Sequence, residues 1–151
     1  MRSYYVRIPG MRRLMLLGCL LLAAACHVQL VSDYDEEFVK TASEIQREID
    51  TLLQNQRNPA KGADLSYEAS KPAYNKIEVE LSSLLALAQS HENNDPSIDQ
   101  VKALIDTVHR LEAIHERDNR IPPVAINIEQ NTIRTQISSI IRTENAKKAG
   151  K

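Results

Sequence analysis

The sequence predicts an all-α fold: an antiparallel up-down-up-down four-helix bundle that follows a cleaved signal peptide. From Ser32 onward, four stretches of roughly twenty residues space their apolar side chains by alternating steps of three and four, the period of one buried helix face. Their connections are short and carry Asn, Pro and Gly, which suits antiparallel neighbours. Four Gly, no Trp and one Phe in 151 residues leave little material for aromatic-rich strands or a phosphate-cradling loop. A hydrophobic content of 42% with 26% charged residues is the composition of one globular domain rather than of a disordered chain.

The first element is an address. Arg2, Arg7, Arg12 and Arg13 precede any acid, and the run from Leu14 to Ala25 is apolar throughout. Twelve helical residues reach about 18 Å against a hydrocarbon thickness of about 30 Å, so residues 1–25 read as a signal peptide and not as a span. Met11 is an equally good start, since Met11-Arg12-Arg13-Leu14 is itself a compact basic segment. Ala23, Ala24 and Ala25 then lead into Cys26.

Here the chain resembles bacterial lipoproteins, whose lipobox ends in a small residue followed by the Cys that is acylated and becomes the mature N-terminus. Leu16-Leu17-Gly18-Cys19 fits the letters of the box better, but it would leave only Leu14 to Gly18 as the apolar run, so Cys26 is the expected lipidation site. The resemblance implies a membrane anchor of acyl chains at Cys26. With His27 rather than Asp after that Cys, it also implies an outer-membrane location facing the periplasm. Residues 26–31 form the lipidated linker. With Cys19 lost and Cys26 acylated, no thiol remains, and the exported domain folds without disulfides.

The bundle is expected over residues 32–145. Its first helix carries Tyr34, Phe38, Ala42, Ile45, Ile49 and Leu52 on one face, with Ser32 or Asp33 as cap and Asp35, Glu36 and Glu37 against the positive end of the dipole. Asn55 to Gly62, containing Asn58-Pro59 and Gly62, ends it. The second helix carries Tyr67, Tyr74, Ile77, Leu81, Leu84 and Ala88, with Leu85 and Leu87 widening the stripe. Pro72 leaves two starts open, a cap at Ser70 or an earlier start near Ser66 with a kink. Asp95-Pro96 reads as a cap followed by Pro at the first helical position. The third stripe is Ile98, Val101, Ile105, Val108, Leu111 and His115, with Leu104 beside it; the fourth is Ile126, Gln130, Ile133, Ile137, Ile140 and Glu144, with Ile141 adjacent. A basic tail, residues 146–151, follows.

Charge narrows the partners. The chain has a formal net charge of −1, and loss of the four leader arginines leaves fifteen basic against twenty acidic groups, a charge of −5. That is no electrostatic footprint for a nucleic acid.

Motifs for catalysis or cofactors are sparse. Glu112-Ala113-Ile114-His115 has the Glu-x-x-His spacing, but a di-metal bundle needs that motif twice and two further Glu, and only one copy is present. Asp33-Tyr34-Asp35 opens like a calcium loop, but Phe38 stands where such a loop requires Gly. No Cys-x-x-Cys-His for haem and no Gly-x-Ser-x-Gly elbow occurs; Ser82-Ser83 and Ser138-Ser139 fall inside helices without a base beside them. His109 and His115, six apart, share no helix face. The expectation is no catalytic site, no metal and no cofactor.

Antiparallel order gathers Leu52, Tyr67, Tyr74, His115 and the Pro122-Pro123 turn at the end away from the anchor. Tyr67, Tyr74 and His115 are candidate partner-binding residues, because such rings bury area while a polar tip finds a partner. The competing reading is that they cap the core, with Tyr hydroxyls reaching water or His115. At the other end Lys147, Lys148 and Lys151 either trail in solvent or meet an anionic membrane, worth about 1 kcal/mol each. Beyond the lipobox, Tyr34-Asp35-Glu36 resembles a segment of short bacterial lipoproteins of unassigned function. The expected role is a lipid-anchored envelope protein acting as an interaction or structural module, with the membrane and an envelope protein as partners. The alternative is a periplasmic bundle that binds a small ligand or metal.

Overall fold

The computed structural model describes residues 32–149, so Cys26, the leader and Lys151 lie outside the described residues. Four helices follow one another: α1 Glu36–Arg57, α2 Tyr67–Gln89, α3 Asp95–Asp118 and α4 Pro123–Ala149. No strand occurs among the described residues, and the fold is the all-α four-helix arrangement that the periodicity predicts. None of these helices is long and apolar enough to cross a membrane.

The helices form a closed ring. Each packs on its sequence neighbours and α1 packs on α4, while the diagonal pairs α1/α3 and α2/α4 make no close backbone approach. Direction follows from the side chains that meet: Asp35 at the start of α1 reaches Glu144 near the end of α4, and Arg57 at the end of α1 reaches Asn127 near the start of α4. Gln56 likewise meets Ser70, Tyr67 meets Glu112, and Gln100 and Arg110 meet Thr143 and Glu129, so all four neighbouring pairs are antiparallel.

The apolar stripes turn inward. Phe38, Ala42, Ile45 and Ile49 of α1 meet Ile77, Leu81 and Leu84 of α2, Val101, Leu104 and Leu111 of α3, and Ile126, Ile133 and Ile137 of α4 in one core. Burial of such a side chain stabilises by about 1.5–3 kcal/mol. Gln130 and Glu144, read from spacing as members of the fourth stripe, are buried there too. Tyr34, Ile98 and Ile105 lie at the margin. Ile121, in the α3–α4 connection and outside every periodic stripe, closes the core at one end.

Several local expectations are corrected. Neither Ser32 nor Asp33 caps α1; Asp35 does, its carboxylate accepting from the amides of Glu37 and Phe38. Ser32 is instead buried and donates to Asn94. α2 takes the earlier of its two open starts, with Ser66 as cap and Pro72 on the exposed side of the helix. There the carbonyl that loses its partner faces solvent. Asp95 is the first residue of α3 and not its cap; Asn94 occupies the cap position while its side chain is engaged elsewhere. The basic tail expected from residue 146 is the last turn of α4, and Lys147 is buried in it.

Candidate functional site

Two polar clusters, one at each end of the bundle, concentrate its unusual chemistry. At the end formed by the α1–α2 and α3–α4 connections, the structure brings Tyr67, Tyr74 and His115 together with ring centroids about 6 Å apart, two of the three pairs edge-on. His115 is fully buried and Tyr74 nearly so. The Tyr74 hydroxyl lies 3.1 Å from His115 Nδ1, and the Leu65 carbonyl lies 3.0 Å from Nε2. Gln56 Nε2 donates to that same carbonyl at 3.0 Å, while its Oε1 is buried without a partner.

Tyr67, the most accessible of the three, donates its hydroxyl to Glu112 at 2.9 Å. That bond to a carboxylate, reinforced by partial burial and by the charges of Glu112, Glu116 and Glu68, pushes its phenol up to about 12. Burial raises the Tyr74 phenol further still, with Glu112 and Tyr67 adding to it. The predicted cluster exists, but as a cap on the core. With Tyr74 and His115 withdrawn from solvent, the three candidate partner-binding residues do not form an exposed aromatic patch, and only Tyr67 is accessible. Their rings complete the core where the helices end. Glu112, the other half of the Glu-x-x-His spacing, is spent on Tyr67. No group of three metal-ligating side chains occurs among the described residues.

The opposite end is a buried knot of polar groups. Lys147 and Glu144 form an ion pair at 2.6 Å, their side chains 4% and 1% exposed. The other Glu144 oxygen accepts the Asp35 amide at 2.7 Å, and Lys147 also donates to Asn94 Oδ1 at 2.8 Å. Asn94 in turn accepts from Ser32 and donates to the Ala88 carbonyl at 2.7 Å. His91 sits 3.2 Å from the second oxygen of Asp35. Burial raises the Asp35 carboxyl, but the bonds from His91 and from the amides of Phe38 and Glu37, with the His91 charge, outweigh it and hold the group below its ordinary value. Lys148 lies 3.8 Å over the Tyr34 ring. Both described lysines of the expected tail are thus occupied within the protein and do not form a free basic patch.

Elsewhere the surface is ordinary. Lys76 bridges α2 to Glu48 of α1, which holds Glu48 below its usual range, while burial raises neighbouring Glu80. An open polar groove between α1 and α4 is lined by Arg47, Asp50, Gln130 and Arg134 among others, and Asp50 is already bonded to both Gln130 and Arg134. Val124 and Ile128 are exposed one turn apart on α4, too small a patch to define an interface.

Comparison with known protein families, with curated proteins and with solved structures gives no match.

Proposed function

We propose that this protein is a lipid-anchored component of a bacterial cell envelope, held by acyl chains on Cys26 and acting through protein contacts or as a structural element. The observation that carries the reading is the order basic segment, apolar run, Ala23-Ala24-Ala25, Cys26. A positive segment and a twelve-residue apolar run suit export, small residues suit a peptidase cleft, and a Cys at the cut suits acylation. The architecture is compatible: the first described residues, Ser32 to Asp35, already belong to the bundle, so only Cys26 to Val31 stand between lipid and domain.

The mechanism is tethering. One acyl chain binds a bilayer marginally and further chains make the attachment durable. Confinement to a surface then raises the effective concentration toward partners on that surface. His27 after the acylated Cys favours the outer membrane and a periplasmic orientation.

Mass analysis of the native product tests this. The expected product begins at Cys26 and carries acyl mass on it, and Cys26→Ser moves the protein from the membrane to the soluble fraction. A native product that retains Leu14 to Ala25, or that carries a bare thiol at Cys26, overturns the proposal. Crosslinking in intact envelopes then identifies the partner by recovery of one defined protein that is lost with the Cys26→Ser variant.

A further inference from the structure

We propose that the last two turns of α4 form a latch on the tether: Glu144, and Lys147 through Asn94, hold Ser32–Asp35 against the bundle and thereby fix the point from which the anchored segment departs. The proposal builds on the acylation at Cys26 put forward above. Of the four residues that precede α1, Ser32, Tyr34 and Asp35 are each gripped by the end of α4 or by its partner Asn94. Glu144 accepts the Asp35 amide, Lys147 shares Asn94 with the Ser32 hydroxyl, and Lys148 covers the Tyr34 ring.

The placement of these charges is what needs explaining. The last turn of a helix ordinarily frays, and lysines there are ordinarily solvated. Here a Lys and a Glu are almost wholly withdrawn from water, which is costly unless every charge-bearing atom finds a bond. Glu144 finds its bond in the segment next to the anchor, at the Asp35 amide, and Lys147 finds its bonds in Glu144 and in Asn94, whose Oδ1 also accepts from Ser32. The remaining Asn94 bond, to Ala88, ties the same knot to the end of α2, so the segment is fixed to three helices and not to one.

The consequence is mechanical. Cys26 to Val31, fully extended, spans at most about 20 Å. Freeing Ser32 to Asp35 lengthens that reach by about 13 Å and removes the restraint on direction. With the latch closed the bundle is held from one point on a leash of at most about 20 Å; with it open it swings on a longer one.

The test uses the lipidated full chain in phosphatidylglycerol and phosphatidylethanolamine vesicles, with a donor dye at Lys61→Cys in the α1–α2 turn and an acceptor on the lipid. The double variant Glu144→Leu with Lys147→Met keeps an apolar fill and removes the latch bonds. Its donor-to-membrane distance is expected to be longer and more widely distributed than in the parent at equal helical content. An unchanged distribution overturns the latch. A second measurement needs no variant: the Asp35 amide, which precedes α1, is expected to exchange at least about tenfold more slowly than an unstructured amide. Free exchange at Asp35 beside a protected Val39 overturns the proposal. If Cys26 is not acylated, the chain fails to bind the vesicles at all, whereas amide exchange still reports on the latch, so the two failures are distinct.

Discussion

Tyr74 and His115 meet hydroxyl to ring, 3.1 Å from Oη to Nδ1, inside the end of the bundle. The opposite ring nitrogen faces the Leu65 carbonyl, which can only accept. A neutral ring therefore carries its proton on Nε2, and Tyr74 is the donor to Nδ1. In that tautomer Gln56 Nε2 and His115 Nε2, 3.4 Å apart, are two donors converging on one carbonyl and not a bonded pair.

Tyr74→Phe leaves Nδ1 buried and unpaired, at an expected cost of about 1–3 kcal/mol in urea unfolding. The cost of combining it with His115→Phe is expected to fall short of the sum of the two single changes, because the second change removes the orphaned nitrogen. Strict additivity would show that the two side chains do not interact.

Alkaline titration reports on the two phenols of the cluster. The Tyr67 hydroxyl is raised to about 12 by its bond to Glu112, and Tyr74 is raised as well, chiefly by burial. A folded-state value above the unfolded one means that the stability these groups contribute is complete below about pH 10, the ordinary phenol value. It is lost as pH rises through the folded value. Tyrosinate absorbance is expected to lag behind that of the unfolded chain above pH 10, and Glu112→Gln is expected to shorten the lag for Tyr67.

The Glu144–Lys147 pair predicts an asymmetric mutational response. Lys147→Ala strands a buried carboxylate and is expected to cost about 3–5 kcal/mol, whereas Glu144→Leu with Lys147→Met together are expected to come close to the parent. Urea midpoints for the two proteins, compared at constant slope, decide it.

Asp35 predicts an acid limb. Its carboxyl lies below the ordinary value of 3.8 because the bonds from His91 and two amides outweigh the desolvation that raises it. The stability it contributes is present above the unfolded value and is lost as pH falls through the folded one. Asp35→Ala removes the cap as well, for about 1 kcal/mol at neutral pH. Asp35→Asn is expected to keep most of the cap and to flatten the stability profile below about pH 4.

Periodicity located all four helices because burial imposes a 3.6-residue rhythm whatever the partner. It even placed Gln130 and Glu144 on the inner face, where both are buried. Rhythm does not say what a buried polar group meets. The partners of Glu144 are Asp35, distant in the chain and marked by nothing local, and Lys147, one turn ahead, where the i,i+3 spacing offers the pair but not its burial. By sequence alone Lys147 reads as the solvated end it would be in an isolated helix. The α1 cap was misplaced for a related reason: Ser32, Asp33 and Asp35 are all good caps by type, and Ser32 is drawn away by Asn94. At the other end, spacing gathers Tyr67, Tyr74 and His115, but proximity does not distinguish a patch from a plug; the Leu65 carbonyl that meets His115 comes from a connection without any periodic signal, and Gln56, four residues beyond Leu52 on the buried face of α1, is turned inward without its partner being marked.

The contact between α1 and α4 has a topological consequence. Since the first and last helices lie side by side and antiparallel, residue 32 and residue 149 emerge at one pole of the barrel. A short peptide bridge could join them while a new opening is cut at the Lys61-Gly62 turn, rearranging the order of the helices along the chain with every side-by-side pairing retained. The anchored segment before residue 32 would be lost from that position, and within the bundle the polar knot, which the bridge must skirt, would feel the permutation most.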